Sequence, residues 1–227
     1  MVLAAAGKKD AELAGKSLET LCRIYWLPLY TYIRRQGRSP HDAQDLTQEF
    51  FTCLLEKDYL RSVDQTKGRF RSFLLASLKH FLANQRDRDR AQKRGGGQIR
   101  FSLDAVDSES RLGFQPADEQ TPEKAFEKRW ALTLLEQSLL RLRKEYALRG
   151  REELFDQLKP TLTEGRGIVA YADLAVRLGV SEASVKMAVH RLKQRYREVV
   201  RAEIAQTVAQ ESEVEDELRQ VFRALSQ

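Results

Sequence analysis

The chain has 227 residues, 39 Lys and Arg against 33 Asp and Glu, a formal net charge of +6, and 42% hydrophobic residues. That length admits one large domain or two small ones. No apolar run nears the ~20 residues that span a bilayer, and MVLAAAGKKD sets its apolar run before its charges, the reverse of a secretory signal, so a soluble cytoplasmic protein is expected.

Cys22 and Cys53 lie in apolar helical patterns without CxxC spacing, and are expected to be buried core thiols in a reducing compartment. The three histidines fall in separate segments, and there is no phosphate-binding glycine loop and no nucleophile beside a base. No metal, no cofactor and no enzymatic activity are expected. Charge is segregated along the chain: residues 41–60 hold one Lys/Arg against five Asp/Glu, residues 61–100 eleven against three, and residues 166–201 eight against three. Two basic blocks separated by an acidic stretch suggest two modules that each meet a polyanion.

Apolar residues recur at helical spacing and β-branched runs are absent, so the fold should be all-α. Residues 11–36 form a first helical region, with Pro28 as a kink or break. Gly37 ends it, Ser39 caps the next helix and Pro40 suits its first turn. On the helix from 40 to about 57, Ala43, Leu46, Phe50 and Leu54 share one face, while Asp42, Asp45, Glu49, Thr52 and Glu56 lie on a face turned away from it. A solvated surface is one reading of that acidic face. A basic partner is the other, favoured because no Lys or Arg at helical spacing relieves the charge.

Residues 61–69 read as a loop, and 70–94 as a helix that is apolar first and basic later. The run RDRDR alone fits a salt-bridged exposed helix. Together with Lys67, Arg69, Arg71, Lys79 and the interleaved phenylalanines it suggests a surface for single-stranded nucleic acid, on which bases stack and cations follow the backbone. Residues 98–122 look like an irregular acidic linker, and Thr121-Pro122 opens a long helix that Gly150 ends.

Residues 171–200, YADLAVRLGVSEASVKMAVHRLKQRYREVV, have the anatomy of a helix-turn-helix. Leu174, Ala175 and Leu178 face inward, Gly179 permits the turn, Val180 plugs it, and Ser181 caps a second helix with Glu182 at its positive end. Val185, Ala188, Val189, Leu192 and Tyr196 form its buried stripe. Ala183, Lys186, Met187, His190, Gln194 and Arg197 face outward, flanked by Arg191 and Lys193, a mixture suited to base edges and phosphates in a major groove. An ordinary hairpin with a solvated basic face is the plainer alternative.

DAQDLTQEFF at residues 42–51 resembles the acidic helix in region 2 of extracytoplasmic-function (ECF) sigma factors of the sigma-70 family. FRSFLLASLKHFLANQRDR resembles the promoter-melting part of that region, and the helix-turn-helix resembles their region 4. The resemblance implies a factor that binds core RNA polymerase and promoter DNA, duplex and single-stranded, to direct melting and initiation. It implies two helical domains: residues 1–97 as region 2, 98–122 as a linker toward the RNA exit channel, 123–205 as region 4, and 206–227 as an added amphipathic helix. By analogy Asp42, Asp45, Gln48, Glu49 and Phe50 would dock on the polymerase clamp. Lys67, Arg69, Phe70, Arg71 and Phe73, with Lys79, His80, Asn84, Arg86 and Arg88, would capture the minus-ten element. Ser181, Glu182, Ala183, Ser184, Lys186, Met187, His190, Arg191 and Gln194 would read the minus-thirty-five element.

The sequence departs from the family at Gln44, where Glu is usual, at His80, where Asn is common, and at Phe73, where Trp is common. The missing charge at Gln44 makes Thr47 and Thr52 candidate phosphorylation sites, since a phosphate adds about −1.5 to −2. Thr52 shares the acidic face, whereas Thr47 lies toward the apolar side. The regulatory partner would then be a Ser/Thr kinase or an anti-sigma factor. In the tail, Ser212 to Glu215 reads as a capping box before an apolar stripe of Val214, Leu218, Val221, Phe222 and Leu225. Two roles fit that helix: packing on the DNA-binding domain, or covering a basic surface until displaced. A dimeric helix-turn-helix regulator remains the alternative function, and it would need neither the acidic helix nor the Phe/Arg helix.

Overall fold

The computed structural model describes residues 11–56, 70–93, 121–163, 170–208 and 210–226. These are helical, with no strand among them. In chain order the helices are α1 (Ala11–Arg35), α2 (Pro40–Glu56), α3 (Phe70–Lys93), α4 (Pro122–Ala147), α5 (Glu152–Leu158), α6 (Pro160–Thr163), α7 (Tyr171–Leu178), α8 (Glu182–Ala205) and α9 (Val214–Leu225). None is long and apolar enough to cross a membrane. Residues 98–120 of the expected linker 98–122, the loop 61–69 and the stretch 164–169 lie outside the described residues, and Pro122 already opens α4.

Local signals account for most of the boundaries. Ser39 Oγ accepts from Asp42 N–H at 3.1 Å and donates to the Asp42 carboxylate at 2.7 Å, a reciprocal cap on α2. Thr121 Oγ1 accepts from Lys124 N–H at 3.3 Å at the start of α4. Pro28 lies inside α1, which runs on without the expected break. Pro160 does interrupt the expected helix after Gly150, separating α5 from α6.

Two compact units emerge, and they are not cut where the linker suggested. The first holds α1, α2, α3, α4 as far as Thr133, and the C-terminal segment from Ala205; the second is Leu134–Ile204. The reason lies in α4, whose first turns bury Ala125, Phe126, Trp130 and Ala131 in the first unit. The core of that unit also includes Ile24, Tyr25, Leu29, Ile33, Leu54, Leu74 and Leu78, with Tyr25 edge-on to Phe70 at 5.6 Å and Phe50 against Phe81 at 5.6 Å. The second unit packs Leu142, Phe155, Leu158, Leu174, Val185, Val189 and Leu192 together. Cys22 and Cys53, expected in the core, are half-buried free thiols, and burial still pushes the Cys22 thiol pKa up.

The C-terminal helix belongs to the first unit, not to the second, on which it was expected to pack. Its capping box uses Gln210 and Glu213, because a short 3-10 turn at Glu211–Glu213 precedes α9, so Ser212 and Glu215 do not form the expected pair. The buried stripe is Val214, Glu217, Val221 and Ala224, and Phe222 is 62% exposed. A carboxylate, Glu217, therefore joins the buried face, while Phe222, expected there, is turned to solvent.

Candidate functional site

In the first unit, α2 turns Asp42, Gln44, Asp45, Gln48, Glu49 and Thr52 to solvent and buries Ala43, Thr47, Phe50 and Leu54. The acidic face is thus real as geometry. Its charges are not wholly unrelieved, as the sequence had suggested. His41 Nδ1 lies 3.1 Å from Asp45 Oδ2, and the Gln85 amide of α3 donates to Glu49. Phe50, expected at the polymerase contact, is 3% exposed and serves the core instead. Thr47 is fully buried and donates to Ala43 O at 2.6 Å, so a kinase has no access to it in this fold, whereas Thr52 is exposed.

The expected minus-ten residues fall into three groups. Phe70 and Arg71 lie in the interior, because α4 and α9 cover the start of α3. Arg71 stands 4.3 Å from the Trp130 ring centroid and pairs with Glu127 and Glu217, so it is not an open DNA contact. Phe73 is half-buried beside Phe70. Lys79 and Arg86 are exposed yet engaged: Lys79 Nζ reaches Glu123 at 2.8 Å, and Arg86 donates to Gln36, whose amide in turn donates to Tyr32 OH at 2.9 Å. The Glu123 carboxyl is held below its ordinary pKa, chiefly by the hydrogen bond from Lys79. The third group is His80, Asn84 and Arg88, one exposed stripe at helical spacing. Lys67 and Arg69 lie outside the described residues.

That stripe borders a cleft of about 210 Å3 between α2 and α3. Phe50, Leu54 and Phe81 supply its apolar surface, and Cys53, Ser77, His80, Asn84, Gln85 and Arg88 its polar and edge groups. An apolar floor ringed by hydrogen-bonding and cationic side chains is chemically fit for a planar, polar-edged group such as a base. The resemblance had supplied His80, Asn84 and Arg88 but not Cys53, Ser77 and Gln85, which join them at the cleft where α2 packs against α3.

In the second unit the helix-turn-helix is built by local chemistry. Gly179 adopts φ +64°, the left-handed conformation that glycine takes without strain, and Val180 N–H returns to Ala175 O at 3.1 Å. Ser181 Oγ accepts from Ser184 N–H at 3.2 Å, so its hydroxyl is engaged in capping α8. Val180 is 46% exposed and does not plug the turn. Leu174, Val185, Val189 and Leu192 hold the two helices together. Ala183, Lys186, Met187, His190, Arg191 and Gln194 are all exposed on α8, and Lys186 Nζ lies 2.9 Å from Glu182. Glu182 is thereby a partner of the lysine as well as a helix-start charge.

Arg195, outside the expected site, anchors α8 to α4. Its Nε and an Nη donate to both Glu145 oxygens at 2.8 Å, and Tyr196 OH donates to Leu135 O at 3.3 Å. The hydrogen bond from Arg195 holds the Glu145 carboxyl below its ordinary value of 4.5. A depressed folded-state pKa contributes stability above the unfolded value that is lost as pH falls through the folded one. The unaltered chain should therefore exceed Glu145→Gln in stability by about 1 kcal/mol near neutral pH, a discounted figure because Arg195 is 40% exposed. Amide exchange in the second unit should show that gap closing as pH falls below 4.5.

No match to the chain was found among curated proteins or among solved structures. The family model described as ECF sigma factor matches residues 29–206, from within α1 of the first unit to just past α8. That span takes in the acidic face of α2, the stripe on α3 and the helix-turn-helix, in the order the sequence resemblance implied. The chain belongs to the ECF sigma factor family, whose members are DNA-binding factors of transcription initiation.

Proposed function

We propose that this chain is a promoter-recognition subunit of RNA polymerase, with no chemistry of its own, whose first unit binds the core enzyme through α2 and the melted minus-ten element through α3, and whose second unit reads the minus-thirty-five element through α8. The observation that carries the reading is the pairing, within one unit, of an exposed acidic helix face with a neighbouring aromatic-floored, cation-edged cleft. The two surfaces have opposite electrostatic character, so they suit different partners: the carboxylates a basic protein surface, and the cleft an unpaired strand. An operator-binding repressor would use neither.

On α8 the exposed Lys186 and Arg191 are suited to phosphates, and His190, Gln194 and Met187 to base edges and the thymine methyl. Asp42, Asp45, Gln48 and Glu49 are the proposed clamp contacts, and His80, Asn84 and Arg88 the proposed strand contacts. Lys67 and Arg69 are carried as strand contacts by resemblance alone. Thr52 is the proposed phosphate acceptor on the acidic face, two turns beyond the charge gap at Gln44.

Reconstitution with core polymerase on a promoter library, mapping the start sites, tests the whole. Start sites preceded by a shared pair of promoter elements are the expected result. A folded chain that fails to bind core polymerase would remove the proposal.

A further inference from the structure

The cleft between α2 and α3 holds about 210 Å3, below the roughly 300–1,000 Å3 usual for pockets that enclose larger ligands, so it suits one base and not a run of strand. Phe50, Leu54 and Phe81 give the surface on which that base would lie. Such a surface is blind to identity, since every base has a flat face. Any choice among bases must come from the hydrogen-bonding groups at the edge. Two of these, Ser77 and His80, adapt to what they meet: a hydroxyl rotates and an imidazole exchanges tautomers, so each can face a donor or an acceptor.

Gln85 does not adapt. It is half-buried at the cleft, and its side-chain nitrogen donates to Glu49 Oε1 on α2. An ionised carboxylate accepts and never donates, so the amide cannot turn over without losing a charge-assisted bond and setting its carbonyl against a negative charge. With the nitrogen drawn to α2, the carbonyl oxygen is the polar atom that Gln85 has left for a ligand in the cleft. A residue of α2 thereby fixes the sense of a group on α3.

Bases divide on the group they offer such an acceptor. Cytosine and adenine carry an exocyclic amino group where thymine and guanine carry a carbonyl oxygen. A fixed acceptor bonds the first pair and repels the second.

We infer that Gln85, oriented by Glu49, makes the cleft selective for an unpaired base with an exocyclic amino group, cytosine or adenine. This rests on the reading of the cleft between α2 and α3 as a strand site. It adds to that site a specificity residue outside the exposed stripe of His80, Asn84 and Arg88, and gives Glu49 a positioning role besides its place on the acidic face.

The test uses the full chain without polymerase, which on the proposed reading takes Glu49 for itself. Fluorescent oligodeoxycytidine and oligodeoxyuridine of about a dozen nucleotides are compared by anisotropy. The two bases are alike in size and differ in the amino or carbonyl group and the adjoining ring nitrogen, and a homopolymer offers the same base in every register. The unaltered chain should bind the cytidine strand about tenfold more tightly, the difference that about one hydrogen bond makes. Gln85→Leu, of similar volume, should make the two affinities equal. Glu49→Lys puts a donor where an acceptor stood, turns the amide over and should reverse the preference. The ratio is the readout, because the new cation attracts both strands. Equal binding of the two strands by the unaltered chain, binding of neither, or a ratio that either substitution leaves as it was overturns the inference. Arg88→Glu separates it from its premise. If that change weakens both strands while Gln85→Leu leaves the ratio unmoved, the strand site stands and the selectivity is wrong. If Arg88→Glu weakens neither, the strand site and the inference fall together.

Discussion

Asp45→Lys is expected to weaken binding of core RNA polymerase by about a hundredfold and to leave duplex promoter binding nearly unchanged. Asp45 is 65% exposed, between Asp42 and Glu49 on the outer face of α2, with His41 its ionic neighbour among the described residues. Reversing its charge converts attraction into repulsion at the middle of the proposed contact. Like charges brought together at an interface cost several kcal/mol, and a hundredfold is about 2.7 kcal/mol. The fold should tolerate the change, since an exposed substitution away from caps and core moves stability by about 0.5 kcal/mol or less. Titration of labelled core enzyme checks it. Asp45→Asn should fall between the two, and the gap should narrow at high salt, where exposed charges are screened. Equal core affinity for all three proteins would mean that α2 faces only solvent.

Lys186→Glu should have the complementary effect: duplex promoter affinity down about a hundredfold near 0.1 M salt, with core binding intact. Two penalties combine. The new carboxylate would meet phosphates where an ammonium had met them, and it would sit one turn from Glu182, now a like-charge neighbour instead of the 2.9 Å partner of Lys186. The milder Lys186→Ala should lower the salt dependence by about one phosphate contact and weaken all sequences alike. Electrophoretic or anisotropy titrations at several salt concentrations distinguish these outcomes. Because Ser181 still caps α8 and the buried stripe is untouched, helix content should not change.

Much of the architecture was legible in the residues because its causes are local. Ser39, Thr121 and Ser181 cap helices through bonds that span three residues, and Gly179 turns the chain through its own φ. The helical periods of α2 and α8 separated exposed from buried positions with few exceptions. The order of motifs pointed to the family before any packing was known. The site was legible less evenly. His80, Asn84 and Arg88 were carried by resemblance among ten residues of α3 and the loop before it, and that they form one exposed stripe beside Cys53, Ser77 and Gln85 emerges only from the packing of α2 on α3.

Long-range partnership decided the rest. Phe50, Phe70 and Arg71 were contact residues by resemblance, although spacing had already put Phe50 on the apolar face, and each is covered by an element distant in sequence. The boundary within α4 depends on Phe126 and Trp130 finding the first unit's core, which no composition shift marks. The sequence by itself determined the all-α class, the capped starts at Ser39, Thr121 and Ser181, the acidic face and the helix-turn-helix, since these follow from interactions within a few turns. Only the tertiary structure decided which cations of α3 are open and which are held by Glu123, Glu127 and Glu217, because a charge carries no local signal of the partner that will neutralise it.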